Sequence, residues 1–226
     1  MKKLKEQVLE ANLDLVRRGL VIYTWGNVSA IDRERGLVAI KPSGVKYETM
    51  TPGDIVVVDL DGKVIEGSLK PSSDTPAHLE IYKAFLSAGA VVHTHSTYAT
   101  AWAQAGLDLP CLGTTHADCF HGPVPCTEAL EAGALGEGFE KETGLSIVRR
   151  FSGLDPAATP GVLVRSHGPF CWGKDAPGAV YNAAVLEEIA RMAAITLSLN
   201  PAAACPPELQ EAHFLRKHGP KATYGQ

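Results

Sequence analysis

His93 and His95 stand two residues apart in the run Ala90-Val91-Val92-His93-Thr94-His95. Alternate residues of a strand share a face, so a strand here turns both imidazoles toward one point. A lone strand histidine is usually structural; a same-face pair at a strand end, leading into Ser96-Thr97, reads as a site. A third, His167, follows the strand-like Val162-Leu163-Val164 within Arg165-Ser166-His167-Gly168-Pro169. Three neutral imidazoles that leave one position open make a catalytic zinc-type centre, with metal–nitrogen distances of about 2.0–2.1 Å. Manganese or another divalent ion suits the same nitrogens, which do not fix the metal by themselves. His78, His116, His121, His213 and His218 are expected not to ligate.

Asp74 precedes Thr75-Pro76, which read as the N-cap and first position of a helix. With Thr75 as the cap, Asp74 is free to face the histidines and to ligate a metal or hold its water. The bland alternative is helix-dipole stabilisation, worth roughly 0.3–1 kcal/mol. Three small-residue loops could hold an anion: Gly26-Asn27-Val28-Ser29, Lys41-Pro42-Ser43-Gly44 and Ser72-Ser73. Glycine admits close backbone approach, and serine, asparagine and free amides donate to phosphate oxygens. Ser72 and Ser73 also sit just before a helix N-terminus, and Lys41 adds a full charge. Each loop alone reads as an ordinary turn. Beside a metal site, together they suggest a phosphorylated substrate.

The elements that must position these residues follow from periodicity. Leu4, Val8, Ala11 and Leu15 recur at helical spacing over residues 3–18, with Lys2, Lys3 and Lys5 expected on a solvated face. Residues 28–31 and 37–40 flank a polar turn, and residues 55–60 and 63–65 flank Asp61-Gly62, so two hairpins are predicted. A helix is expected from Thr75 to about residue 87, then the histidine strand, then a helix over 96–105. Residues 162–164 form a strand, a long helix capped at Asp175 runs to about 199, and a short one covers 207 to about 217. Hairpins mixed with helices, without regular strand–helix alternation, predict an α/β fold with a mainly antiparallel sheet covered by helices.

Composition narrows the function further. The chain's 226 residues, 45% hydrophobic and 20% charged, suit one domain spanning 1–226. A net charge of −4 and no basic stripe argue against nucleic acid as a partner. The apolar stretch 179–199 is broken by Glu187, Glu188 and Arg191, so no membrane span is expected. Five cysteines without a Cys-x-x-Cys pair, and no apolar run after Met1, predict a soluble cytoplasmic protein with reduced thiols. There is no G-x-G-x-x-G, Walker A or G-x-S-x-G sequence, which leaves nicotinamide, P-loop and serine-hydrolase chemistry without their usual support.

To the stretches already quoted, Thr114-Thr115-His116-Ala117-Asp118, His167-Gly168-Pro169-Phe170 and Tyr224-Gly225-Gln226 can be added. Read together, they resemble the L-ribulose-5-phosphate 4-epimerases of the class II aldolase family, in the family's order and over nearly the whole chain. The resemblance implies a three-layer α/β/α sandwich and a cyclic homotetramer with active sites between subunits. It implies a divalent metal, zinc first, on His93, His95 and His167 with Asp74 contributing. Phosphate is assigned to Gly26, Asn27, Ser43, Gly44, Ser72 and Ser73, with Lys41 close by. Asp118 and Tyr224 match the acid/base pair. Two departures stand out: Cys119-Phe120-His121 where aromatic residues are expected, and Thr223-Tyr224 where the family carries a tyrosine pair.

The C4 hydrogen of a ketose phosphate is not next to the carbonyl and is not acidic. Without a nicotinamide, inversion at C4 calls for cleavage and re-formation of the C3–C4 bond. The nearest alternative is an aldolase of the fuculose-phosphate type, which carries glutamate where Asp74 stands; the aspartate favours epimerisation. A non-catalytic metal-binding module is the alternative from another class, but structural zinc sites favour four closed ligands and cysteine.

Overall fold

Val56, Val57 and Val58 are consecutive and all fully buried, a pattern a strand satisfies only with a covering layer on each face. The computed structural model describes residues 1–131, 133, 136 and 138–222. Among these, seven strands form one sheet: β1 (Gly26–Asp32), β2 (Leu37–Ile40), β3 (Val56–Asp59), β4 (Val64–Glu66), β5 (Ala90–Thr94), β6 (Gly161–Val164) and β7 (Gly168–Gly173). Their order is β4-β3-β2-β1-β5-β7-β6, and every neighbouring pair is antiparallel.

The main helices are α1 (Lys2–Arg17), α2 (Thr75–Ala84), α3 (Thr97–Ala105), α4 (Thr114–Ala117), α5 (Phe139–Arg150), α6 (Ala176–Leu199) and α7 (Pro207–His218). Alternation along the strands divides the core in two. Val28, Val57 and Val92 pack with α1, α3 and α6, whereas Val56, Val58 and Val91 pack with α2 and α5. The result is the expected three-layer sandwich. On the second face Phe85, Phe151 and Trp172 meet with ring centroids 5.0–5.2 Å apart, contacts worth about 0.5–1.5 kcal/mol each beyond area burial.

Several local expectations are corrected. The N-cap of α2 is Asp74, one residue earlier than predicted, and the Thr75 hydroxyl instead donates to the Ser72 carbonyl at 2.6 Å. The same helix stops at Ala84 rather than near residue 87. There the Arg33 guanidinium donates to the carbonyls of Tyr82, Phe85 and Ala88 at 3.3, 2.9 and 2.7 Å, meeting acceptors a helix C-terminus leaves open. Lys5 is not on a solvated face: it is buried and pairs with Glu66 at 2.9 Å. Strand β7 and helices α4 and α5 had no counterpart in the sequence reading. Among the described residues no helix is long and apolar enough to cross a membrane.

Candidate metal centre

His93 is the last residue of β5 that pairs with β7, opposite Phe170, and its ring stacks on that phenyl at 4.2 Å. Its Nδ1 lies 3.0 Å from the Pro169 carbonyl. A carbonyl only accepts, so Nδ1 carries the hydrogen and Nε2 presents its lone pair outward. His95 lies one residue past the end of β5, and its Nε2 is 3.2 Å from that of His93. His167 arrives from the three-residue turn between β6 and β7, where Ser166 takes a left-handed φ of 60°. Gly168 lets this turn close against β5: a Cβ there would sit 2.8 Å from the Thr94 carbonyl oxygen.

One ligand atom from each histidine lies within 4.8 Å of the others. Two nitrogens on one tetrahedral cation at about 2.0–2.1 Å are about 3.3 Å apart, which the 3.2 Å separation of His93 and His95 matches. Burial, reinforced by the neighbouring imidazoles, lowers the pKa of His95 and takes His167 to about 4. Both rings therefore stay neutral, as ligation requires. The donor set fits a divalent cation.

Asp74 completes the charge balance. Its N-cap position makes no side-chain capping bond; instead Asn27 Nδ2 donates to Oδ2 at 2.7 Å, and Ser72 Oγ lies 3.4 Å from the same oxygen. Burial opposes the carboxylate's charge, but His93, His78 and the Asn27 bond outweigh it and hold its pKa below the usual range. Asp74 thus lines one cleft with the three histidines, although it is itself the N-cap that Thr75 was expected to be.

The anion loops meet the same centre. Ser43 N donates to the Lys70 carbonyl and Ser72 N to that of Lys41, strapping two loops together. Asn27 Nδ2 also reaches Ser72 Oγ at 3.0 Å, while its buried Oδ1 has no protein partner among the described residues. Lys41 is only 2% exposed, with Nζ donating to the Pro42 carbonyl at 3.2 Å and lying 4.9 Å over the Tyr47 ring. Burial lowers its pKa to about 8. One cleft of about 440 Å³ is lined by Gly26, Asn27, Lys41, Ser43, Gly44, Ser72, Ser73, Asp74, His93, His95 and His167. Thr24, Trp25, Phe139 and Glu140 also line it; no local signal marks these four in the sequence, because their roles depend on where distant segments land.

Asp118 is not in this cleft. It lines a separate hollow of about 450 Å³ with Cys119, Tyr181 and Lys217. It is not a solvated loop carboxylate either: His213 Nδ1, Arg216 and Lys217 of α7 approach it at 3.0, 3.2 and 3.4 Å. Burial would raise its pKa, but the bonds from His213 and Arg216 and the nearby charges prevail and lower it. Phe120, one of the departures, is fully buried, and Cys119 Sγ contacts the Tyr181 hydroxyl at 3.7 Å. Tyr224 lies outside the described residues.

A wholly antiparallel sheet between two helical layers, with a three-histidine centre at one strand end, defines a class of metal-site α/β sandwich. Residues 6–194 match the class II aldolase and adducin N-terminal domain family, and the chain belongs to that family. Over the full length of both chains it is 60% identical to L-ribulose-5-phosphate 4-epimerase UlaF of Salmonella paratyphi B. It is 59% identical, again over both full lengths, to the protein of that name from Salmonella typhi. Among solved structures, an L-fuculose 1-phosphate aldolase superimposes with a TM-score of 0.82 at 28% identity, covering 93% of this chain and 94% of that one. The L-fuculose-1-phosphate aldolase of Thermus thermophilus gives a TM-score of 0.71 at 25% identity, covering 89% of this chain and 100% of its own.

Proposed function

We propose that the chain is a metal-dependent epimerase that interconverts L-ribulose 5-phosphate and D-xylulose 5-phosphate in the cytoplasm, with residues 1–226 as one functional unit. The observation that carries this reading is the convergence of a three-histidine centre and the serine, glycine and lysine loops on one cleft. Full-length similarity to proteins named for that epimerase supports the choice of substrate. His93, His95 and His167 would hold the metal, zinc first and manganese or a similar ion otherwise. Asp74, whose Oδ2 is engaged by Asn27 and Ser72, would contribute directly or through water. A divalent cation at this point supplies Lewis-acid stabilisation for negative charge on a sugar's adjacent oxygens.

The chain's own groups do the rest. Gly26, Asn27, Ser43, Gly44, Ser72 and Ser73, with Lys41 behind them, hold the phosphate. Removing the proton from the C4 hydroxyl lets the C3–C4 bond break, its electron pair passing to the three-carbon fragment as C4 becomes an aldehyde. The phosphate anchor keeps glycolaldehyde phosphate in place while its aldehyde turns over, so re-addition is effectively intramolecular. The opposite face then receives the bond, and the C4 oxygen regains a proton. Asp118 and Tyr224 are the proton carriers in this reading, one for each epimer. Because Asp118 lines a different hollow of its own chain, it would serve the cleft of a neighbouring copy in a homotetramer.

A fuculose-type aldolase is the second reading, favoured by the structural neighbours. An assay of L-ribulose 5-phosphate with the metal stripped and restored tests both. Metal-dependent formation of D-xylulose 5-phosphate is expected; release of free aldehyde would favour the aldolase, and a rate untouched by chelation would refute the metal centre. Deleting residues 224–226, or Asp118→Asn, is expected to leave a folded protein with little epimerase activity. Full activity in either variant would remove that residue from the mechanism.

A further inference from the structure

The three histidines are not held equally. His93 is fixed by its Nδ1 bond to Pro169 and its stack on Phe170, inside two strand ladders. His167 sits on the β6–β7 turn, its own N–H donating to the Val164 carbonyl at 3.0 Å. His95 lies past the last ladder pair, Gly26 with Thr94, and is exposed. Among the described residues, the hydrogen-bond-range contact of its side chain is the Nε2 approach to His93. What sets its backbone is the helix that starts two residues later.

That helix start is fastened in an unusual way. Ser96 is the N-cap of α3, yet its side chain makes no capping bond and its buried Oγ has no protein partner among the described residues. The amides of the first turn go instead to Glu187, in the middle of α6. Tyr98 N donates to Oε1 and Oε2 at 2.9 and 3.1 Å, and Ala99 N to Oε2 at 2.9 Å. A carboxylate receiving two helix-start amides is both a cap and a dipole partner. It holds α3 in register at its first turn, whereas the Trp102 Nε1 bond to Ala190, at 3.1 Å, ties the same two helices further along.

We propose that Glu187 is a positioning residue for the metal centre: by clamping the first turn of α3 it fixes His95 for ligation. The inference rests on the proposed ligand role of His95. It places a determinant of metal affinity in the helical layer opposite the face His93 shares with Val91, on a residue that touches neither metal nor sugar.

The test is zinc affinity, measured by competition with a chromogenic chelator, with the visible spectrum of the cobalt-loaded protein as a second readout. His93→Ala is expected to abolish tight binding; if it does not, the centre itself is misread, and the positioning role falls with it. Glu187→Ala is expected to weaken zinc binding about 10- to 100-fold, the range for supporting residues around a metal, and to change the cobalt bands. Glu187→Gln, which keeps one acceptor oxygen, should fall between the parent and Glu187→Ala. Trp102→Phe removes the other tie between α3 and α6 and should lower the melting temperature while leaving zinc affinity alone. Parent-like affinity in Glu187→Ala would overturn the proposal, as would equal weakening in Trp102→Phe. Should Glu187→Ala fail to fold, parent-like affinity in Glu187→Gln would overturn it instead.

Discussion

Lys41 is a cation held almost wholly out of water, with one carbonyl and one aromatic face for company. Its lowered pKa of about 8 means that the charge it would offer to a phosphate, in the proposed role, is present below that pH and fades above it. The Michaelis constant for L-ribulose 5-phosphate should therefore rise above about pH 8, well short of the ordinary lysine range. Lys41→Met should raise it about 10- to 100-fold at neutral pH, as loss of a charge-assisted bond worth about 1.5–3 kcal/mol implies, and should flatten its alkaline dependence. Steady-state kinetics across neutral and alkaline pH decide the matter; an unchanged profile in the variant would acquit Lys41. Most lining residues of the cleft were legible in the sequence because their chemistry is local: paired histidines at period two, or serine and glycine in a tight loop. The surroundings of Asp118 were not, since His213 and Arg216 approach it from 95 and 98 residues away.

At the scale of elements, the exposed ends of helices are where single residues matter most. Arg33 closes the C-terminus of α2 with three carbonyl contacts, and α2 begins at Asp74. Arg33→Ala is expected to cost about 1–3 kcal/mol, the range for losing hydrogen bonds to a charged donor, measured as a lower urea midpoint with an unchanged slope. The hairpins and the histidine strand were readable because alternation and turn residues specify them locally. Helix α5 was not, partly because Gly144 interrupts it. The reason for that glycine is tertiary: a Cβ there would meet the Ala77 carbonyl oxygen at 2.8 Å, so α2 and α5 approach as closely as they do only without a side chain. Strand β7 opens Gly168-Pro169, residues that argue against a strand in isolation; its partners β5 and β6 settle the matter.

For the molecule as a whole, acid is the predicted weakness. His78 and His116 are buried, and burial takes their pKa values to about 3 and about 4. Unfolded, each accepts a proton near 6.5. Between those limits the unfolded chain binds protons that the folded chain refuses. Stability is thus full above about pH 6.5 and declines as pH falls toward 4, by up to about 1.4 kcal/mol per pH unit for each histidine. Urea melts at about pH 7.5, 6 and 5, run with chelator so that metal loss does not intrude, should show falling midpoints; a flat series would contradict the two buried neutral rings. Helix α7 presents the opposite case. None of its residues is fully buried, and much of its attachment is ionic, through Arg216 and Lys217 on the Asp118 carboxylate at 3.2 and 3.4 Å. Mobile ions screen such contacts and leave apolar cores nearly untouched. Added potassium chloride, from about 0.05 to 0.5 M, where the screening length shrinks severalfold, should speed amide hydrogen exchange in α7 while the sheet stays protected. The segment that grips Asp118, a proton carrier in the proposed mechanism, would then feel the ionic medium before the sheet does.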